Sequence, residues 1–364
     1  MINRISHIQH TLSHRKIDAI LISQPDNRRY LSGFTAVDHN ITESSGLLLI
    51  PQRGTPHLLT DFRYQIQAER DTTDFEIHLY QRGVFSLLKK LLPQLGITTL
   101  AIEANYFLHS KYLTLAKLGT PLGLHLIALD DTIEKLRQTK SDDELASIQK
   151  SVSLNEAVFQ HVLPQIKAGQ TEIQVSQILE NTMRQFGAER PSFDTIVASG
   201  PNGALPHAVP GPRQLRSGEP IIIDMGLVLA GYCSDMTRTI VLGTPDTETI
   251  TLFRLVRRAQ LAAIEGLKPG VSAKKIDQAA RSIIAEAGHG PNFGHALGHG
   301  VGLAVHESPS INTRNRKLLR PGMVVTIEPG IYIKGWGGIR LENMVVITNT
   351  GHKVLNQDTS FLDL

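Results

Sequence analysis

The chain of 364 residues contains a single cysteine, Cys233, which excludes an intrachain disulfide and fits a reducing compartment. Aromatic residues are scarce at 5%, and the net charge is only +3. No basic run with interleaved aromatics is present, so nothing marks a nucleic-acid surface. Long apolar runs are also missing: stretches such as Gly46–Ile50 fall far short of the roughly 20 residues of a membrane span. The first residues, MINRISHIQH, lack the apolar stretch of a secretory signal. There is no Walker-type loop and no dinucleotide fingerprint. These absences lead us to expect a cytoplasmic protein without nucleic-acid or membrane partners. Its length suits two cores rather than one.

What is present falls into two halves. Residues 1–130 alternate helix-like and strand-like segments. Helical spacing runs over Arg4–Ile17, Val84–Leu95 and Ser110–Leu118. Strand-like runs are Asp18–Ser23, Gly46–Pro51, His57–Thr60, Phe75–Tyr80, Thr98–Glu103 and Leu124–Leu129. This alternation predicts a smaller α/β domain. Its histidines, His57, His78, His109 and His125, are scattered and are expected to be surface or core residues without a ligand cluster. Asp130–Gln165 has almost continuous helical composition, with Ser141 and Glu144 spaced as a capping box. The boundary is placed here, giving domains 1–130 and 131–364.

The second half contains a repeat. Ile166–Gly187 and Leu267–Gly288 both open apolar–Lys–small–Gly, continue with Thr171 or Ser272 as a helix N-cap, and end in glycine. Strand-like groups follow each copy: Ser192–Ser199 and Pro220–Asp224, then Met323–Glu328 and Glu342–Ile347. Duplicated halves with strands in consecutive groups predict an α+β domain with an antiparallel sheet.

The chemistry concentrates in three stretches. FGHALGHGVGLAVHE places His295, His299 and His306 among four glycines, where the backbone allows close approach and imidazole suits a metal. Asp224 and Asp235 lie in apolar surroundings, where unpaired carboxylates are costly. A hairpin turning about Leu229–Ala230 is expected to oppose them. Glu328 and Glu342 are likewise symmetric about Gly335. The bland reading of each pair is a salt bridge to Arg238 or Arg340. Two such pairs beside a histidine loop instead suggest four carboxylates and one imidazole holding two divalent ions. Such a set favours Mn²⁺, with Co²⁺, Fe²⁺ or Zn²⁺ as alternatives. Two-metal sites cleave amides and phosphoesters alike, and spacing does not choose between them.

The motifs LRQTKSDDELASI, ASGPNGALPHAVPG, IIIDMG, GYCSDMTRT, FGHALGHGVGLAVHE, PGMVVTIEPGIY and GGIRLENMVV, in this order, resemble the metal-dependent pita-bread peptidases, in the branch of Xaa-Pro dipeptidase (prolidase) and aminopeptidase P. The resemblance implies a duplicated pita-bread catalytic domain (creatinase/aminopeptidase-like) behind a creatinase-like N-terminal domain, assembled as a homodimer acting on short proline-containing peptides. It implies Asp224, Asp235, His299, Glu328 and Glu342 as metal ligands, with Asp235 and Glu342 bridging and Glu328 as proton shuttle. It makes His207 and His306 substrate-facing, and places His295, Tyr332 and Arg340 behind the ligands. Asn343 departs from the family, where that position is commonly acidic. Creatinase and partner-binding relatives lack the full ligand set that is present here, and methionine aminopeptidase fits the N-terminal domain and the GHGVGLAVHE pattern less well. The last two ligands stand 14 residues apart, a short insertion that resembles prolidases and short aminopeptidases more than long aminopeptidase P forms.

Overall fold

In the computed structural model, which describes residues 2–359, the chain divides into two compact units, Met1–Arg137 and Gln138–Leu364. The first unit carries helices α1 (Ile2–Arg15), α2 (Pro25–Ser32), α3 (Gln65–Asp71), α4 (Val84–Gln94), α5 (His109–Gly119) and α6 (Thr132–Arg137). Its strands are β1 (Ala19–Ile22), β2 (Gly46–Pro51), β3 (His57–Thr60), β4 (Glu76–Leu79), β5 (Thr99–Glu103) and β6 (His125–Leu129). They form one mixed sheet in the order β4-β3-β2-β1-β5-β6. The apolar runs of β1 and β2 are wholly buried, and Leu88, Leu91 and Leu92 of α4 pack with Leu21, Leu49 and Leu59 of the strands.

Three differences from the sequence reading have local causes. Helices α2 and α3 carry too few apolar residues for periodicity to show. In α2 the chain instead buries Arg28, whose guanidinium holds Asp38 through two bonds of 2.9 and 2.8 Å. The helix-rich stretch after residue 130 is not continuous: α6 ends at Arg137 and α7 (Asp142–Val162) starts at a fresh cap. Asn27 bonds Glu134 and accepts from Arg137, which ties α6 to the first unit beyond the expected boundary at 130. Finally, His57 and His78 are not scattered. The parallel pairing of β3 and β4 brings them together with Glu76.

The second unit begins with α7, capped by a box in which Ser141 and Glu144 each bond the other's backbone amide. Ser141→Ala is expected to cost about 1 kcal/mol, read as a lower unfolding midpoint with unchanged denaturant slope. The unit continues with α8 (Glu172–Gln185), β7 (Arg190–Pro191), β8 (Ile196–Ser199), β9 (Pro220–Met225), β10 (Leu227–Leu229), β11 (Tyr232–Cys233) and β12 (Met236–Val241). Then come α9 (Thr247–Glu265), α10 (Ala273–Glu286), β13 (Gly298–Gly300), β14 (Glu307–Ile311), β15 (Val324–Ile327), β16 (Gly330–Ile333), β17 (Gly337–Arg340), β18 (Asn343–Ile347) and β19 (His352–Val354).

The repeat is visible in three dimensions. Thr171 and Ser272 both cap their helices, and Gly187 and Gly288 both follow them with left-handed φ of 98° and 86°. Each cap residue also makes an isolated antiparallel bridge, Thr171 to Gln214 and Ser272 to Leu318. Each half contributes an antiparallel sheet, β12-β9-β8 in the first and β14-β13-β15-β18-β19 in the second. Helices α9 and α10 cover a core that includes Val325, Ile327 and Val345 of the second sheet.

Candidate active site

The carboxylates sit in or beside strands: Asp224 in β9, Asp235 just ahead of β12, Glu328 just after β15 and Glu342 between β17 and β18. In β9, Ile221, Ile222 and Ile223 are buried and Asp224 follows them. The first hairpin differs from the expected one by its turn. Ala230 and Gly231 are the central residues, with φ of 51° and 84°, so Leu229 pairs with Tyr232. Left-handed φ at both central positions gives a tight turn whose twist matches that of the strands. The register then sets Asp224 across from Thr237, not Asp235, which lies just ahead of β12. The second hairpin has the expected centre. Gly330 pairs with Arg340 on one side and Ile327 with Asn343 on the other, which brackets Glu328 and Glu342 as opposed residues.

His299 lies on β13. A β-carbon at the preceding Gly298 would overlap the Thr326 carbonyl, so glycine is what lets this strand approach β15. The His299 amide bonds the Thr326 hydroxyl at 3.0 Å, and its Nδ1 faces the Gly300 carbonyl at 3.1 Å. That contact places a proton on Nδ1 and turns Nε2 toward the carboxylates, where a cation would replace its proton. Nε2 stands 3.5 Å from Asp235 Oδ2 and 3.3 Å from Glu328 Oε1.

All ten residues singled out in the sequence line one cleft of about 440 Å³: His207, Asp224, Asp235, His295, His299, His306, Glu328, Tyr332, Arg340 and Glu342. Behind the carboxylates runs a chain of donors. Arg340 Nη2 bonds Asp224 Oδ2 at 2.7 Å and its Nη1 bonds the Tyr332 hydroxyl at 2.8 Å, which reaches His295 Nε2 at 3.0 Å. The His306 ring stands edge-on to His299, with centroids 4.4 Å apart. Arg238 forms its close ion pair elsewhere, although Glu342 is among the charges it feels. It is fully buried against Asp358, at 2.8 Å, and donates to the carbonyls of Thr237 and Glu342.

Two groups escaped sequence reasoning. The Thr237 hydroxyl bonds Glu342 Oε2 at 2.8 Å, and that of Thr326 bonds Glu328 Oε1 at 3.0 Å. Threonine in a strand reads as an ordinary β-former, and only register reveals these contacts. Phe193, Ile196 and Val209 add an apolar wall, which no periodic signal marked.

The electrostatics call for cations. Burial, then the neighbouring Glu342 and Asp224, hold Asp235 well above the usual carboxylate range. Burial, then Glu328 and Asp224, do the same to Glu342. Burial also raises Asp224, against the pull of Arg340. Burial opposes charging His299, but Glu328 overrides it and lifts the ring to about 9. Burial likewise pushes Glu328 up, and His299 pulls it below its ordinary value. Asp224 Oδ1 and Glu342 Oε1 are buried without a hydrogen-bond donor. Donor atoms of Asp235, His299 and Glu342 all lie within 4.8 Å of one another. Crowded carboxylates with two donorless oxygens, beside one imidazole, fit divalent cations.

Residues 146–349 match the model of metallopeptidase family M24, and residues 4–139 match the creatinase/prolidase N-terminal domain. The chain is a metallopeptidase of family M24. Over 97% of each chain it is 36% identical to YqhT, an uncharacterized peptidase of Bacillus subtilis (strain 168). Among solved structures, an Xaa-Pro dipeptidase from Bacillus anthracis superposes with a TM-score of 0.91 at 35% identity, covering 98% of each chain. An X-Pro aminopeptidase from Thermotoga maritima MSB8 gives 0.87 at 38% identity, covering 95% of this chain and 97% of its own. The prolidase from Pyrococcus horikoshii OT3 gives 0.89 at 33%, covering 99% of both. The M24 domain in this chain carries the α+β pita-bread fold, and divalent metal is its cofactor.

Proposed function

We propose that this M24 peptidase is an Xaa-Pro dipeptidase that holds two divalent ions through Asp224, Asp235, His299, Glu328 and Glu342. The observation that carries the metal assignment is the pair of donorless buried oxygens on Asp224 and Glu342, beside a His299 whose Nε2 is turned toward Asp235 and Glu328. Asp235, His299 and Glu342, whose donor atoms lie within 4.8 Å of one another, would form the centre of that ligand set. Carboxylate-rich ligation favours Mn²⁺ over the softer metals. When bound, the ions lower the pKa of water and polarise the scissile carbonyl.

The chain's own residues do the rest. Glu328 Oε1 is held by Thr326, so Oε2 accepts the proton of the attacking water and returns it to the leaving proline nitrogen. His306 and His207 donate to the substrate carbonyl and to the oxyanion that develops from it. Burial, then the neighbouring His299, lower the pKa of His306. Arg340 orients Asp224, and Tyr332 with His295 holds Arg340 in turn. The apolar wall of Phe193, Ile196 and Val209 suits a proline ring.

The dipeptidase reading draws on the Bacillus anthracis and Pyrococcus horikoshii structures, and on the short span between Glu328 and Glu342. The aminopeptidase from Thermotoga maritima, slightly more identical in sequence, supports the second reading, an Xaa-Pro aminopeptidase on longer peptides. Hydrolysis of Ala-Pro and Ala-Pro-Ala in Mn²⁺ decides between them. Cleavage of the dipeptide alone is expected, with Asp235→Ala inactive on both. Faster cleavage of the tripeptide would reverse the assignment. The reading includes a homodimer, testable by sedimentation, and a cytoplasmic location, which suits a chain whose single cysteine, Cys233, is buried.

A further inference from the structure

The first unit holds a second constellation of metal-binding side chains. His57 of β3 pairs with Glu76 of the edge strand β4, and Leu59 pairs with His78, so all three polar side chains share one face of the sheet. His57 Nδ1 lies 3.0 Å from His78 Nε2. The two oxygens of Glu76 lie 3.4 Å from His57 Nδ1 and 3.4 Å from His78 Nε2. We propose that His57, Glu76 and His78 form a zinc site that fastens the edge strand β4 to β3.

The distances argue for a shared cation. Zinc bonds of about 2.0–2.1 Å in a tetrahedron put neighbouring donors about 3.3–3.4 Å apart; each ring nitrogen has a Glu76 oxygen at 3.4 Å, the two rings are slightly closer at 3.0 Å, and one donor atom from each residue lies within 4.8 Å of the others. A hydrogen-bonded imidazole pair accounts for the 3.0 Å contact alone. It leaves Glu76 at 3.4 Å from both rings, beyond the roughly 2.7–3.2 Å of an N–H···O bond. Exposure grades across the set, with side chains of His57 at 5%, His78 at 20% and Glu76 at 59%. The buried ring anchors the site, and the open side admits the ion and a water as fourth ligand. Two imidazoles and one carboxylate suit Zn²⁺ better than the Mn²⁺ favoured by the carboxylate-rich cleft. Parallel pairing to an edge strand only four residues long is weak support on its own, and an ion bridging both strands adds to it by binding the folded form.

The test uses the full chain, stripped with EDTA, titrated with Zn²⁺, desalted and counted by mass spectrometry. Wild type is expected to retain one equivalent more than His78→Gln or Glu76→Gln. The affinity at this site should fall by more than the roughly 10–100-fold that loss of a supporting hydrogen bond costs a metal site. Both variants should melt like wild type in EDTA, lose the zinc-dependent rise in melting temperature, and hydrolyse Ala-Pro in Mn²⁺ at the wild-type rate. Because Glu76 is largely exposed, Glu76→Gln decides the matter if His78→Gln folds poorly. Equal zinc counts and equal zinc-dependent melting in wild type and Glu76→Gln would overturn the site and leave a plain imidazole pair.

Discussion

His299→Ala is expected to lose stoichiometric metal and with it all measurable peptidase activity, whereas His306→Ala keeps its metal and loses turnover. The two rings are edge-on neighbours with centroids 4.4 Å apart, yet their surroundings differ. His299 is clamped from two sides, by the Gly300 carbonyl on Nδ1 and the Thr326 hydroxyl on its amide, so that Nε2 is held toward Asp235 and Glu328. His306 lies outside the group of close donors formed by Asp235, His299 and Glu342. It lines the same cleft, where it can donate to a developing oxyanion. Loss of one such donor lowers kcat by roughly 10²–10³-fold. Metal counting on both variants, with kcat for Ala-Pro on His306→Ala, separates the roles. Equal metal loss in the two would show that the division of labour is wrong.

Asp358→Ala should be among the most destabilising single changes in the second unit. Arg238 is fully buried and its Nε meets Asp358 Oδ2 at 2.8 Å, while Nη1 donates to the carbonyls of Thr237 and Glu342. Removing the carboxylate takes the hydrogen-bonded counter-charge from a buried guanidinium and leaves only the more distant pull of Glu156 and Glu342, a change that costs about 3–5 kcal/mol. For a unit of this size, roughly 2–4 °C per kcal/mol translates this into a melting temperature lower by about 6–20 °C. The site should also loosen, because Arg238 holds the backbone of Glu342, and weakening such support costs roughly 10–100-fold in metal affinity. Asp358→Asn, which keeps a hydrogen-bond acceptor, should fall between. A melting temperature within 2 °C of wild type, in the metal-free state, would sink this account.

The two hairpins show how much of the site was legible in the residues. Glu328 and Glu342 are symmetric about Gly335, whose φ of 85° suits the turn, and the register follows that symmetry. The same reasoning misplaced Asp235 relative to Asp224. The deciding feature was Ala230, a residue with no sequence signature for the left-handed φ of 51° it adopts. Shifting the turn centre moved Thr237 opposite Asp224, and Thr237 became the hydroxyl that steadies Glu342. In the first unit, β2 and β3 could be read residue for residue because they are apolar and bounded by turns. Helix α2 could not, because it is held by a buried Arg28–Asp38 pair rather than by a periodic stripe.

By itself the sequence determined the class of each half, the duplicated capped helices and the inventory of carboxylates and imidazoles, since composition, periodicity and glycine placement are local properties. Tertiary structure decided which groups meet. Cross-strand register, set by the φ of Ala230 and Gly231, chose Thr237 as the partner of Asp224. Pairing between β3 and β4 likewise joined His57 to Glu76 and His78, which lie 19 and 21 residues further along the chain. Contacts of that kind depend on how strands align in space, and no local pattern in the chain records the alignment.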